Sequence, residues 1–156
     1  MFRKRLPPSW YVMLAAGLRE FVATLPPEVN CKLDEQAREV SLTVKPPTPQ
    51  HRTLSIDANY YEVDYELGRL WGEFHTPTEE SCQYLLAMCD AVRDGRFREV
   101  KEQRTGQIYH VLRLKSRGLD EFARDSDFSP WHYLRLKIRR VSIKRIPPLD
   151  WQGAVG

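Results

Sequence analysis

Apolar and polar residues alternate most regularly between Tyr60 and Phe74, in the stretch YYEVDYELGRLWGEF. Tyr61, Val63, Tyr65 and Leu67 occupy one phase of a period-two pattern; Tyr60, Glu62, Asp64 and Glu66 occupy the other. Successive strand side chains point to opposite faces, so the pattern predicts a strand with one apolar face and one acidic face. Gly68 can take the positive φ of a tight turn. Arg69 to Phe74 then returns as the second strand of a hairpin, with Leu70 and Phe74 in one phase and Trp71 and Glu73 in the other.

Two segments carry helical spacing instead. Tyr11, Leu14, Ala15, Leu18, Val22 and Leu25 form a stripe on a helix that Ser9 can cap and that Pro26-Pro27 stops. The second helix is expected from Pro77 to Asp94, with Thr76 as N-cap, Glu79 closing a capping box and Gly95 just past the end. Cys82, Leu85, Leu86, Cys89 and Val92 make its buried stripe.

Further strands are predicted over Val29 to Leu33, Arg38 to Lys45, Leu54 to Ala58, Arg96 to Glu102 and Gln107 to Ser116. Leu119 to Arg124 is assigned a helical turn and Asp125 to Pro130 a loop. Trp131 to Ile146 is the longest strand candidate; its apolar phase slips at Arg139-Arg140, which predicts a β-bulge there. Consecutive strands with short connections imply antiparallel pairing. The expected fold is α+β: one domain over residues 1–156, a mainly antiparallel sheet of about six or seven strands, and two amphipathic helices on one face. Residues 1–7 and 147–156 are expected to be loose termini.

Composition narrows the partners. At 156 residues with 42% hydrophobic residues, the chain can bury a core without staples. Its net charge is only +3, but the distribution is uneven. Leu54 to Glu80 holds seven acids against Arg69, whereas Trp131 to Ile146 holds six bases and no acid. Either the two segments neutralise each other inside the fold, or one of them faces a partner. The basic start followed by the apolar run Trp10 to Leu18 has the outline of a signal peptide. The apolar stripe continues through Val22 and Leu25, however, which favours a folded helix. No apolar run approaches the ~20 residues of a membrane span. Three cysteines, Cys31, Cys82 and Cys89, do not make a disulfide framework and point to a reducing, cytoplasmic setting.

Catalytic and metal chemistry finds little support. His51, His75, His110 and His132 fall in no metal-ligand frame, and no phosphate-binding glycine loop or nucleophile elbow is present. His110 lies in the apolar phase of its strand, where a core histidine is expected. Asp125 to Ser129 opens like a calcium loop, but Pro130 stands where glycine is needed and Leu136 where glutamate is needed. The reading is therefore a binding protein without cofactor or metal. Its contact face is the acidic and aromatic hairpin: Tyr60, Glu62, Asp64, Glu66, Trp71 and Glu73. That composition suits a cationic protein partner, most specifically a toxin or nuclease domain neutralised by an immunity-type inhibitor. The alternative is a nucleic-acid module using Trp131, Tyr133, Arg135, Lys137 and Arg139, where bases and aromatics share one strand face. An enzyme with scattered site residues is the third reading.

The cysteine reading makes a direct prediction. Thiol titration in denaturant without reductant should count all three cysteines. A deficit restored by reductant would show a disulfide, and stoichiometric zinc in the purified protein would show a metal site.

Overall fold

The computed structural model describes residues 5–114, 121–124 and 141–150. The element order is α1 (Ser9–Thr24), β1 (Cys31–Glu35), β2 (Glu39–Val44), β3 (Leu54–Asn59), β4 (Val63–Leu67), β5 (Leu70–Phe74), α2 (Glu79–Arg93), β6 (Phe97–Glu102), β7 (Ile108–Leu114), β8 (Glu121–Arg124) and β9 (Val141–Ile146). The α+β class and the antiparallel pairing are as the pattern predicts. The strands divide into two sheets: a five-stranded meander in the order β1-β2-β3-β4-β5, and a four-stranded sheet in the order β8-β7-β6-β9.

In the meander the alternation does its expected work. Val40, Leu42 and Val44 of β2, Leu54, Ile56 and Ala58 of β3, and Val63 and Leu67 of β4 are all buried. They join one apolar cluster with α1, α2 and the inward residues Phe97, Leu112, Leu114 and Ile146 of the second sheet. Gly68, at φ +60, turns the β4–β5 hairpin in the left-handed region that glycine enters without steric cost.

The second half of helix α2 is enclosed on every side: Leu85 through Val92 are all buried without a break. A helix with no solvent face needs neighbours all round it. Helix α1 supplies one of them. A Cβ at Gly17 would overlap the Leu86 side chain, so glycine sets how closely the two helices approach. Arg93 ties their C-terminal ends together, donating to Thr24 Oγ1 (2.7 Å) and lying over the Phe21 ring.

Several local expectations change. The N-cap of α2 is Thr78, not Thr76. Thr78 Oγ1 accepts from the Ser81 backbone N–H (3.2 Å), and Ser81 Oγ accepts from the Thr78 N–H (2.7 Å), closing the box two residues later. This frame places both Glu79 and Glu80 in the first turn, where the helix dipole favours them. Ser9 is the first helical residue; Pro8 holds the cap position and there is no side-chain cap bond. The segment 121–124 is a strand rather than a helical turn, pairing β7 from Leu114↔Glu121 to Val111↔Arg124. The ladder along β7 satisfies backbone groups that a lone helical turn would leave unbonded. Residues 147–150 are pinned rather than loose: Leu149 is buried and donates its N–H to Arg93 O (3.0 Å). The expected bulge at Arg139 lies outside the described residues.

Leu85 is fully buried in this core. Leu85→Ala should lower the unfolding free energy by about 2–5 kcal/mol, as large-to-small core truncations do, read from chemical denaturation. A loss below about 1 kcal/mol would place Leu85 outside the packed core.

Candidate functional site

The residues opposite the core phase in the meander face water, and the pairing register decides which of them meet. Asp34 stands opposite Ser41, Ser41 opposite Asp57, Asp57 opposite Asp64, and Asp64 opposite Glu73. One line of side chains thus crosses all five strands and contains four carboxylates. The neighbouring line runs Lys32, Thr43, Ser55, Glu66 and Trp71. Beyond the other side of the acidic line lie Glu39, paired with Asn59, and Glu62 in the β3–β4 turn.

Asp64, Glu66, Trp71 and Glu73, four of the six residues expected on the face, are there and exposed. Trp71 is 67% exposed, a large apolar ring left in water beside Glu66. Glu62 borders the face and is half-buried. Tyr60 is not part of the face. Its ring meets Tyr11 of α1 edge-on at 4.8 Å and its hydroxyl donates to Ala37 O (3.1 Å). The cause is Asn59, whose Oδ1 accepts from the N–H groups of Tyr61 (2.8 Å) and Glu62 (3.0 Å). This side-chain-capped turn ends the strand and breaks the period-two phase before β4 begins. Tyr61, expected on the apolar face, consequently lies in that turn, 58% exposed and in hydrogen-bond contact with Arg5 (2.9 Å).

Asp57, Ser41, Asp34 and Glu39 are face residues that pattern reading did not include. Ser41, Asp57 and Glu39 stand in the outward phase of their predicted strands, whereas Asp34 falls beyond the predicted end at Leu33 of a strand that runs to Glu35; which of them lie near Asp64 follows from the strand order. Two depressions mark the face. One is lined by Ser55, Asp57, Asp64, Glu66, Trp71 and Glu73, and the other by Glu39, Ser41, Asp57, Asn59, Glu62 and Asp64.

The electrostatics follow from this crowding. Partial burial raises the Asp64 carboxyl above its ordinary value, and repulsion from Glu73, Glu62 and Asp57 adds to the rise, while His75 acts against it. Ser41 donates its hydroxyl to Asp57. His75 lies 3.2 Å from Glu73 and 3.8 Å from Glu62, and Lys32 pairs with Asp34 (3.1 Å). The described part of the basic segment, β9, pairs with β6 in the other sheet, so it forms no ladder with the acidic line. There Arg145 stands opposite Arg98, both exposed. Trp131, Tyr133, Arg135, Lys137 and Arg139, the candidates for nucleic acid, lie outside the described residues.

A second polar group sits at the junction of the sheets. Arg52, just before β3, forms an ion pair with Glu99 of β6, and Glu99 lies 3.9 Å from His110 of β7. Glu99 and His110 are buried, and the His110 ring stacks on Phe97 at 5.8 Å. Arg52 keeps partial solvent access, so its charge stays hydrated as it reaches the buried carboxylate. This group joins the two layers. Among the described residues no set of three or more His, Cys, Asp or Glu is placed to hold a metal ion, and no helix is long and apolar enough to cross a membrane. Compared with known protein families, curated proteins and solved structures, the chain matches none.

The Asp64 shift has a definite sign. Between the unfolded value and the raised folded value, the native state holds more protons, so this group favours folding in acid. The contribution is lost as pH rises through that window. Glu35 and Asp94 behave oppositely: hydrogen bonds from Arg19 and Arg93 lower them, and their contribution is lost as pH falls. Asp64→Asn should therefore hold or raise stability at neutral pH, within about 0.5 kcal/mol for this exposed site, and the gain should vanish in acid. Urea melts of both proteins at neutral pH and below the carboxylate range measure it. A clear loss at neutral pH would mean that the acidic line is balanced by cations within the fold.

Proposed function

We propose that the protein is a binding module, not a catalyst, that docks a cationic protein on the outer face of the five-stranded sheet. In its most specific form it is an immunity-type inhibitor that covers the basic site of a toxin or nuclease. The observation that supports this reading is the line Asp57–Asp64–Glu73 across three adjacent strands, beside an exposed Trp71. Like charges directly opposite one another destabilise a sheet slightly, so the fold gains nothing from them. A cationic partner would convert that repulsion into attraction.

The geometry is suited to such a contact. The side chains stand on paired strands over a packed core, so little ordering is needed on association. The carboxylates would steer a basic partner and select against acidic ones. An exposed tryptophan among them matches the composition of binding hot spots. The role and the partner class come from this surface chemistry, not from any resemblance.

The test is affinity capture from cells that carry the natural partner, with the wild type and an Asp64→Lys/Glu66→Lys variant as baits. The variant should keep its stability to within about 0.5 kcal/mol per site. The wild type should retain a basic protein that elutes as salt is raised, and the variant should lose it. Equal retention by both baits would remove the acidic face from function. Co-purifying RNA or DNA that survives the charge reversal would favour the nucleic-acid reading instead.

A further inference from the structure

The acidic face ends at β5, and β5 is an edge strand: its pairing is with β4, and among the described residues no strand lies beyond it. The hydrogen-bond parity of β4 shows which backbone groups this edge leaves open. Gly68 N–H donates to Thr53 O (3.0 Å) and Asn59 N–H donates to Glu62 O (3.0 Å). The even-numbered residues along β4 therefore bond toward β3. In an antiparallel ladder the alternate residues bond the other way. Val63, Tyr65 and Leu67 thus use the backbone groups of their partners Phe74, Gly72 and Leu70. The N–H and C=O groups of Trp71 and Glu73 are left pointing away from the sheet.

Those two residues also carry the exposed side chains of the acidic face. The edge and the face consequently meet in one place. Proteins commonly blunt an open edge with lysine or proline. The opposite edge, β1, has Lys32 there, and α1 reaches across through the Arg19–Glu35 pair. Strand β5 has no lysine or proline; it presents Trp71 and Glu73 in one phase and the half-buried Leu70 and Phe74 in the other.

We propose that β5 receives an extended basic segment of the partner as a sixth strand. This rests on the acidic-face reading and specifies its mode. Backbone pairing to Trp71 and Glu73 would supply affinity, and alternate side chains would supply specificity, as in β-strand addition generally. The residues opposite Trp71 and Glu73 would be Arg or Lys: one cation over the indole, the other against the carboxylate. The intervening residues would be apolar, lying beside Leu70 and Phe74. A second copy of β5 is a poorer occupant, because it would bring a second acidic face, with Asp64, Glu66 and Glu73, alongside the first.

The test uses a synthetic peptide of about ten residues alternating Arg with Val or Thr, the length of a long strand. The control is the same peptide N-methylated on the backbone at each arginine, which keeps every charge and removes the paired N–H donors. Amide hydrogen exchange is followed by NMR on the whole protein at low salt. In the free protein the Trp71 and Glu73 amides should exchange fast and the Gly72 amide slowly. With the alternating peptide, Trp71 and Glu73 should slow by about tenfold or more, as amides entering a ladder do, and the N-methylated peptide should not produce this. Trp71→Pro, which removes an outward N–H and leaves the β4 ladder intact, should bind the peptide about tenfold more weakly than Trp71→Val, which also lacks the indole but keeps that N–H. Binding that shifts Asp64 and Glu66 resonances while Trp71 and Glu73 exchange at their free rates would overturn strand addition and leave the acidic face standing. Absence of any peptide binding at low salt would overturn both. The exchange measurement on the wild type decides the matter even if Trp71→Pro does not fold.

Discussion

Every strand of the meander must turn its apolar phase toward the helices, and the rest of the surface follows from that requirement. Once Val40, Leu42, Ile56, Val63 and Leu67 are committed to the core, the intervening residues have nowhere to go but water. The pairing register then aligns Ser41, Asp57, Asp64 and Glu73. A slip of one residue in any strand would bury carboxylates, at a cost no local preference could offset. The core therefore specifies the acidic line as firmly as it specifies itself. The face can be rich in like charges because apolar packing on the other side of the same strands holds them together.

Alternation made much of this visible in advance. Which side of β4 would be acidic could be read from Val63 to Leu67 alone, because period two admits only one partition. What alternation does not contain is adjacency. Nothing within Leu54 to Ala58 says that Asp57 will stand beside Asp64; that depends on the strand order. Tyr60 leaves the acidic face for a different reason. The alternation read from Tyr60 onward sets that residue in the acidic phase, but the side chain of Asn59 bonds the next backbone amides and resets the phase between the strands, and a pattern of hydrophobicity is blind to hydrogen bonding. The shift of the helix cap from Thr76 to Thr78 has the same character. Two overlapping capping frames were available, and the one realised brings both glutamates into the first turn. Strand β8 was illegible because its conformation is imposed by the neighbouring edge of β7 rather than by its own residues.

The two sheets are joined by polar contacts that no periodicity announces. Arg52 reaches Glu99, and His51, its neighbour in sequence, is buried with its Nε2 2.8 Å from Pro148 O and its Nδ1 2.8 Å from Thr48 Oγ1. A carbonyl can only accept, so Nε2 carries the hydrogen in that contact. Both residues follow the proline-dense loop between β2 and β3, which looks like mere punctuation in the sequence. Its rigidity gives two consecutive residues a fixed outlook onto the second layer.

That arrangement implies an order of events in folding. The meander closes through contacts between strands that are neighbours along the chain, the kind that form fastest. His51 must wait for Pro148, 97 residues further on, and Arg52 for Glu99. The buried half of helix α2, Leu85 through Val92, cannot be covered until strands made after it have assembled. The acidic sheet should thus be complete before the molecule as a whole is, with its charged side outward from the start. A nascent layer that repels its own kind on one face has only its unfinished, apolar face to guard.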